Sequence, residues 1–226
     1  MFKSYLKTAL RSLTKNKAHS VINITGLSVG MAVAMIIGLW IWNELSFDHY
    51  HQNYNRIAQV MEQKTNNGEI NTSHSVPLPL KPALLKTAGT DFKHVVLASW
   101  LTEHVLSSGD KKISFKGNFM DADAPSMFTL QMVKGNIAGL KDISSIFISQ
   151  AVAKAMFGNA NPMGQLLKLD NNASLAVTGV YQDLPENTTL HGLDFIAPWE
   201  YYVASHDWVK ALLITGAITL SRCLLN

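Results

Sequence analysis

The chain is short of charge and almost without cysteine. One cysteine, Cys223, stands in 226 residues, so neither an intrachain disulfide nor a cysteine-based zinc site can form. Charged residues make up 15% and hydrophobic residues 47% of the sequence. Typical soluble domains carry about 25% charged residues. The balance excludes a disordered chain and points toward a membrane. A net charge of +3 excludes a strongly basic nucleic-acid binder. Acid is missing altogether from the first 43 residues, which hold Lys3, Lys7, Arg11, Lys15 and Lys17. The remainder carries two more acids than bases. Motifs of catalysis are missing too. There is no phosphate-cradling Gly-x4-Gly-Lys-Ser/Thr loop and no His-Glu-x-x-His. Gly158-Asn-Ala-Asn-Pro-Met-Gly164 is bounded by glycines but lacks the lysine, and reads as a helix stop followed by a turn.

The longest charge-free stretch is Ser20 to Asn43, without Asp, Glu, Lys, Arg or His. Its 24 residues would reach about 36 Å as a helix, at roughly 1.5 Å per residue. That crosses a hydrocarbon core of about 30 Å. Ile22 and Leu39 lie in the apolar run, and Trp40 and Trp42 mark its end as an interfacial belt. The run exceeds the roughly 7–15 apolar residues of a signal peptide, and bulky Trp40-Ile41-Trp42 occupy the place of the small residues at a cleavage site. It reads as an uncleaved anchor. Cations before it and Glu44 and Asp48 after it predict a cytoplasmic N-terminus and an exported remainder. Phe2, Tyr5, Leu6, Ala9, Leu10 and Leu13 follow one helical stripe, with lysines and arginine on the other faces. A basic amphipathic helix before a span belongs in the inner-leaflet interface or against a cytoplasmic partner.

Beyond the span, strands and helices alternate without a regular βαβ beat, so the exported part reads as α+β. Strands are predicted at 56–62, 95–100, 145–149 and 174–181. A hairpin is predicted around Gly109-Asp110, and helices over 82–89 and 150–157, the latter stopped by Gly158. His49-Tyr50-His51 is the one close histidine pair, with no third ligand near it, and reads as a solvated surface rather than a metal site. Asp121 and Asp123 read as solvated turn residues. No catalytic residue, cofactor site or metal site is expected.

The order of local motifs carries more than any one of them. Asn43-Glu44-Leu-Ser-Phe-Asp48, His51 and Asn55-Arg56 follow the span, and Pro77-Leu-Pro79 opens a helix. Ala124-Pro-Ser-Met-Phe128 precedes Val133-Lys-Gly135. Phe157-Gly158, Pro162-Met-Gly164, Val177-Thr-Gly179-Val-Tyr181 and Asp183-Leu-Pro185-Glu-Asn187 close the series. Over residues 1–208 this resembles the N-terminal part of ABC-transporter permeases of the MacB/FtsX type, in the subgroup typical of Bacteroidetes. The resemblance implies a cytoplasmic amphipathic helix (1–19), a transmembrane helix (20–43) and a partial MacB-like periplasmic core domain (44–208) in a bacterial inner membrane. It implies a cytoplasmic ABC ATPase as partner, membrane lipids around the span, and pairing with a second copy or another permease. The expected role is coupling ATP hydrolysis on that partner to movement of the periplasmic domain, for efflux or for lipoprotein or peptide export. A single-span sensor or ligand-binding ectodomain is the alternative. Glu44, Asp48, Arg56, Phe128, Gly135, Phe157, Gly158, Pro162, Gly164, Gly179, Asp183 and Pro185 are expected as structural positions of the motif.

The tail departs from that pattern. Ala211–Ser221 is uncharged for only 11 residues before Arg222, too short for a second span of about 20. The family continues here with a run like Asn-Trp-Gly-Asn-Asn-Ser-Phe. In one choice of codons, Ile214–Asn226 read two bases later begins with that run. Residues 209–226 are therefore expected to be an aberrant tail from a frameshift, on a truncated permease.

Overall fold

The structure is a computed structural model that describes Ser4, Tyr5, Lys7, Arg11, residues 15–209 and Arg222–Leu225. It divides into two units, Met1–Phe47 and Asp48–Asn226. In the first, Ser4, Tyr5, Lys7, Arg11 and Lys15 are helical; the other apolar positions of the predicted stripe lie outside the described residues. Helix α1 (Lys17–Leu45) runs 29 residues with a mean hydropathy of 2.1 over its most apolar stretch, and none of it is buried. It starts three residues before and ends two after the uncharged run. Ile22, Leu39, Trp40 and Trp42 are all exposed on it, as lipid-facing side chains require.

The second unit is built on strands. In chain order they are β1 (Ala58–Val60), β2 (Glu62–Asn66), β3 (Glu69–Ser73), β4 (Val95–Ala98), β5 (Thr102–Ser108), β6 (Lys111–Met120), β7 (Met132–Gly135), β8 (Ser145–Ser149), β9 (Leu166–Leu169), β10 (Ala173–Tyr181), β11 (Phe195–Pro198) and β12 (Arg222–Leu225). Helices α2 (Leu80–Ala88), α3 (Ala124–Met127), α4 (Gln150–Phe157) and α5 (Trp199–Ser205) lie between them. The pairing path β6-β11-β8-β10-β9-β5 returns to β6 and so closes on itself. Strand β6 makes the closure possible by changing partners along its length. Residues 111–117 pair antiparallel with β5, and 117–120 pair parallel with β11. Strand β4 leaves the ring at Met120, with β12 and then β1 beyond it. Pairs β8–β10 and β6–β11 are parallel and the others antiparallel, which is the mixed α+β architecture expected.

Two apolar cores explain why β4, β8 and β11 are buried at every residue. Alternate side chains of a strand point to opposite faces. Val95, Leu97, Ile146, Ile148, Phe195 and Ala197 enter one core; Val96, Ala98, Phe147 and Ile196 enter the other. A strand covered on both faces carries an unbroken apolar run instead of an alternating one. Helix α4 begins with the Ser149 side chain accepting the Val152 N–H at 3.2 Å and ends on Gly158 at φ +60°, ψ −117°, a positive-φ conformation that glycine adopts at least cost. The turn between β2 and β3 is Asn67-Gly68 with φ +51° and +87°, the type I′ geometry that suits a tight hairpin.

Asp121 is buried, not solvated. Its Oδ2 accepts from Lys81 Nζ at 2.7 Å and from the Leu97 N–H at 2.5 Å, joining α2 to β4 and β6. A carboxylate among apolar strands keeps such partners or is costly. Asp123 is exposed, as the sequence suggested. Residues 210–221 of the expected aberrant tail lie outside the described residues, while the backbone of Arg222–Leu225 pairs with β1 and β4.

Candidate functional site

The segment that follows α1 is fastened to two distant loops. Asp48 sits three residues beyond Leu45, the last residue of α1. Its N–H donates to Asn187 O at 2.9 Å. Its Oδ1 accepts from Thr188 Oγ1 and the Thr189 N–H, both at 2.7 Å, and its Oδ2 accepts from Thr189 Oγ1 at 2.5 Å. His51 contacts Phe128 O through Nδ1 at 2.7 Å and Thr188 Oγ1 through Nε2 at 3.0 Å. The Gln52 N–H donates to Thr129 Oγ1 at 3.0 Å, and Asn53 Nδ2 to Met127 O at 3.2 Å. Residues 48–53 thus bridge the end of α3 and the loop after β10, more than 70 positions away in each case.

His51 is 3% exposed. The expectation of a solvated histidine pair holds for His49, which is exposed and set against the Tyr54 ring, and fails for His51. Burial by partners that far away in sequence leaves no local trace. Burial alone would raise the Asp48 carboxyl, but hydrogen bonds from Thr189 and Thr188 and the charge of His51 outweigh it and hold it below its usual value. Backbone strain collects here as well. Asp48 has φ +59° and Thr129 has φ +51°. Aspartate tolerates the left-handed region, whereas a β-branched threonine there is a true outlier. Such strain costs about 1–3 kcal/mol and persists where the surroundings enforce it, often at sites of function. A recess of about 180 Å³, lined by Ile57, Gln59, Phe128 and Leu190, opens beside Asp48 and His51.

The other motif positions scatter through the second unit and do not form one site. Phe128 is buried in the second core and joins the clamp through its carbonyl. Glu44 and Arg56 are exposed. Gly135 has φ +77°, and a Cβ there would lie 2.4 Å from Thr178 O. Phe157 packs on the first core, and Gly158 caps α4. Pro162 is buried, and Gly164 at φ +75° donates its N–H to Val177 O at 2.8 Å. Gly179 is buried where a Cβ would meet Met132 and Phe147 within 2.8 Å. Asp183 Oδ1 accepts the Ala151 N–H at 2.9 Å at the start of α4, where a carboxylate suits the helix dipole. Pro185 is half-buried.

One constellation was not visible in the sequence. Thr102 Oγ1, His104 Nε2 and Nδ1, and Asp170 Oδ2 lie in line at 2.8 and 2.6 Å. Hydroxyl, imidazole and carboxylate in that order suit nucleophile activation. Here Asp170 also accepts the Val105 N–H at 2.9 Å, and His104 packs edge-on against Phe119 and Phe195. The group fastens β5 to the turn after β9. Its hydrogen bonds are spent on joining strand to turn, so it is read as structural. The described residues also hold no cluster of three metal-ligating side chains.

Against known families, residues 20–219 match the MacB-like periplasmic core domain. The chain belongs to this family. It is of the MacB/FtsX permease type, with a domain of the periplasmic-core family behind one N-terminal helix long and apolar enough to cross a membrane. Several solved structures share the fold, among them three permease or transporter domains. A domain of a permease protein from Porphyromonas gingivalis is 18% identical, with TM-score 0.61, over 78% of this chain and 74% of that one. The periplasmic region of MacB from Actinobacillus actinomycetemcomitans is 16% identical, with TM-score 0.53, over 74% and 72%. The extracellular domain of the noncanonical ABC-type transporter YknZ from Gram-positive bacteria is 16% identical, with TM-score 0.54, over 76% and 83%. No match was found among curated proteins.

Proposed function

We propose that this MacB-type chain is a coupling subunit of an ABC transporter. Its N-terminus (1–19) lies in the cytoplasm, the span (20–43) crosses the inner membrane, and residues from 44 onward are periplasmic. A cytoplasmic ATPase partner hydrolyses ATP. Movement of the span is passed to the exported domain, which acts in efflux or in lipoprotein or peptide export. A second copy or another permease completes the assembly, and lipids surround the span.

The observation that supports this reading is the clamp. Residues 48–53 begin three positions after the helix ends and are bonded at both ends to the second unit's own loops. A loose linker would absorb a displacement of the helix, whereas a clamped one transmits it. Coupling needs such mechanical continuity and no catalytic group in this chain.

Two measurements test the reading. A phosphatase fused at residue 60 is expected to be active, and a reporter that works only in the cytoplasm is expected to be silent there. The reverse pattern would overturn the topology. In vesicles holding the chain with its ATPase, the Asp48→Ala, Thr189→Val double variant is expected to cut transport per ATP hydrolysed several-fold. An unchanged ratio would remove the clamp from the mechanism.

A further inference from the structure

Counting protons along the clamp yields a charge state. Phe128 O, His51, Thr188 Oγ1 and Asp48 Oδ1 form a line of three contacts, at 2.7, 3.0 and 2.7 Å. Each contact needs one hydrogen. Phe128 O is a carbonyl and only accepts, so His51 Nδ1 must carry a proton. Thr188 has a single hydroxyl hydrogen. Its oxygen also lies 3.4 Å from the Leu190 N–H, so it already serves as an acceptor on that side. Asp48 Oδ1 receives the Thr189 N–H and Oδ2 the Thr189 hydroxyl, the surroundings of an ionised carboxylate. The Thr188 hydrogen therefore points to Asp48, and the middle contact must be filled from the ring. A neutral imidazole has one N–H, and the line requires two.

We infer that His51 is held as an imidazolium, donating from both ring nitrogens, and that its charge is relayed to the Asp48 carboxylate through the Thr188 hydroxyl. Other titratable groups do not compete for this place. Tyr50 meets the ring edge-on at 5.3 Å, and burial keeps its phenol neutral. Tyr54 is set against His49. On the loop after β10, Glu186 is paired with His191 at 3.3 Å. Before α3, Asp123 faces His94 at 3.5 Å and Asp121 is held by Lys81.

The consequence is a clamp that grips in its protonated form. Loss of the proton leaves two hydrogens for three contacts. Either Phe128 O loses its donor, or Thr188 turns to the ring and abandons Asp48. Segment 48–53 is then held by one contact fewer. The proton assignment rests on geometry alone; its bearing on transport rests on the coupling reading above.

The test uses the full chain in lipid nanodiscs, with nitrogen-15 in its histidines. Both His51 ring nitrogens are expected to give the protonated signature in the folded chain. A bare ring nitrogen on His51 in the folded, unsubstituted chain would overturn the assignment. Thr188→Val removes the relay hydroxyl and is expected to abolish the imidazolium signal under the same conditions, and Thr188→Ser to restore it. An imidazolium that survives Thr188→Val in a chain with an unchanged melt would overturn the relay. Transport per ATP in the Thr188→Val chain reads the other claim separately. With a protonated His51 in the parent, a ratio unchanged by Thr188→Val would count against the coupling reading and leave the charge assignment standing.

Discussion

Gly117→Ala is expected to lower the stability of the exported unit by about 3 kcal/mol, the upper end for forcing a methyl group into a filled core. Gly117 lies on β6 directly opposite Phe195 of β11. A Cβ at Gly117 would fall 2.0 to 2.4 Å from three atoms of the Phe195 ring. The ring is fully buried in the first core and has no free end to swing aside. Neither can the backbone yield easily, because Gly117 is where β6 passes from β5 to β11. In a domain of this size, about 3 kcal/mol corresponds to roughly 6–12 °C in Tm. The double change Gly117→Ala, Phe195→Leu separates overlap from strand propensity. If overlap is the cause, removing the ring recovers part of the loss, a coupling of at least about 0.5 kcal/mol. Additive losses by thermal melt would show that the ring is not what the glycine accommodates. Gly158→Ala is the control. It meets open space, and its φ +60°, ψ −117° is strained for alanine, so it is expected to cost about 1–3 kcal/mol with no coupling to Phe195.

The contrast between those glycines shows how far the sequence could be read. Gly158 was legible because a helix stop is local: an apolar periodicity ends, and a glycine follows it. The same holds for α1, whose uncharged run needs no tertiary information, and for β4 and β8, whose unbroken apolar runs announce strands covered on both faces. Gly117 was not legible. Its reason is an aromatic ring 78 positions away, brought opposite by a parallel pairing that no local pattern marks. Ring closure was hidden for the same cause, since one strand must exchange partners midway. The β2–β3 hairpin carried a signal that went unread. Asn67-Gly68 is a strong turn pair, but its flanks are polar and exposed and show no apolar alternation. His51 and Asp121 failed in another way. Polar residues in polar surroundings read as solvated, yet each is buried by partners the fold supplies from far along the chain. The resemblance marked Asp48 as a motif position; only the geometry shows what it fastens.

Lys81→Met is expected to destabilise the unit by about 3 kcal/mol at neutral pH, with a deficit that shrinks on acidification. Asp121 is 6% exposed, and Lys81 Nζ at 2.7 Å is its only cationic partner among the described residues. Removing one member of a buried pair strands the other charge, at a cost of about 3–5 kcal/mol. The low end is appropriate because Lys81 itself keeps some contact with solvent, its side chain 25% exposed. The Leu97 N–H alone remains to hold the carboxylate. Burial already raises the Asp121 carboxyl above its usual value, against the opposing pull of Lys81 and the Leu97 hydrogen bond. Without the ammonium it rises further. A carboxyl raised in the folded state binds its proton more tightly there than in the unfolded chain. Ionisation therefore costs stability as the pH climbs through the folded value, and protonation returns it as the pH falls toward the unfolded value of about 3.9. Denaturant melts of the variant and the parent at pH 7 and pH 5 should converge on acidification. A gap that stays constant or widens between those pH values would show that Lys81 acts through its packed stem rather than through the charge of Asp121.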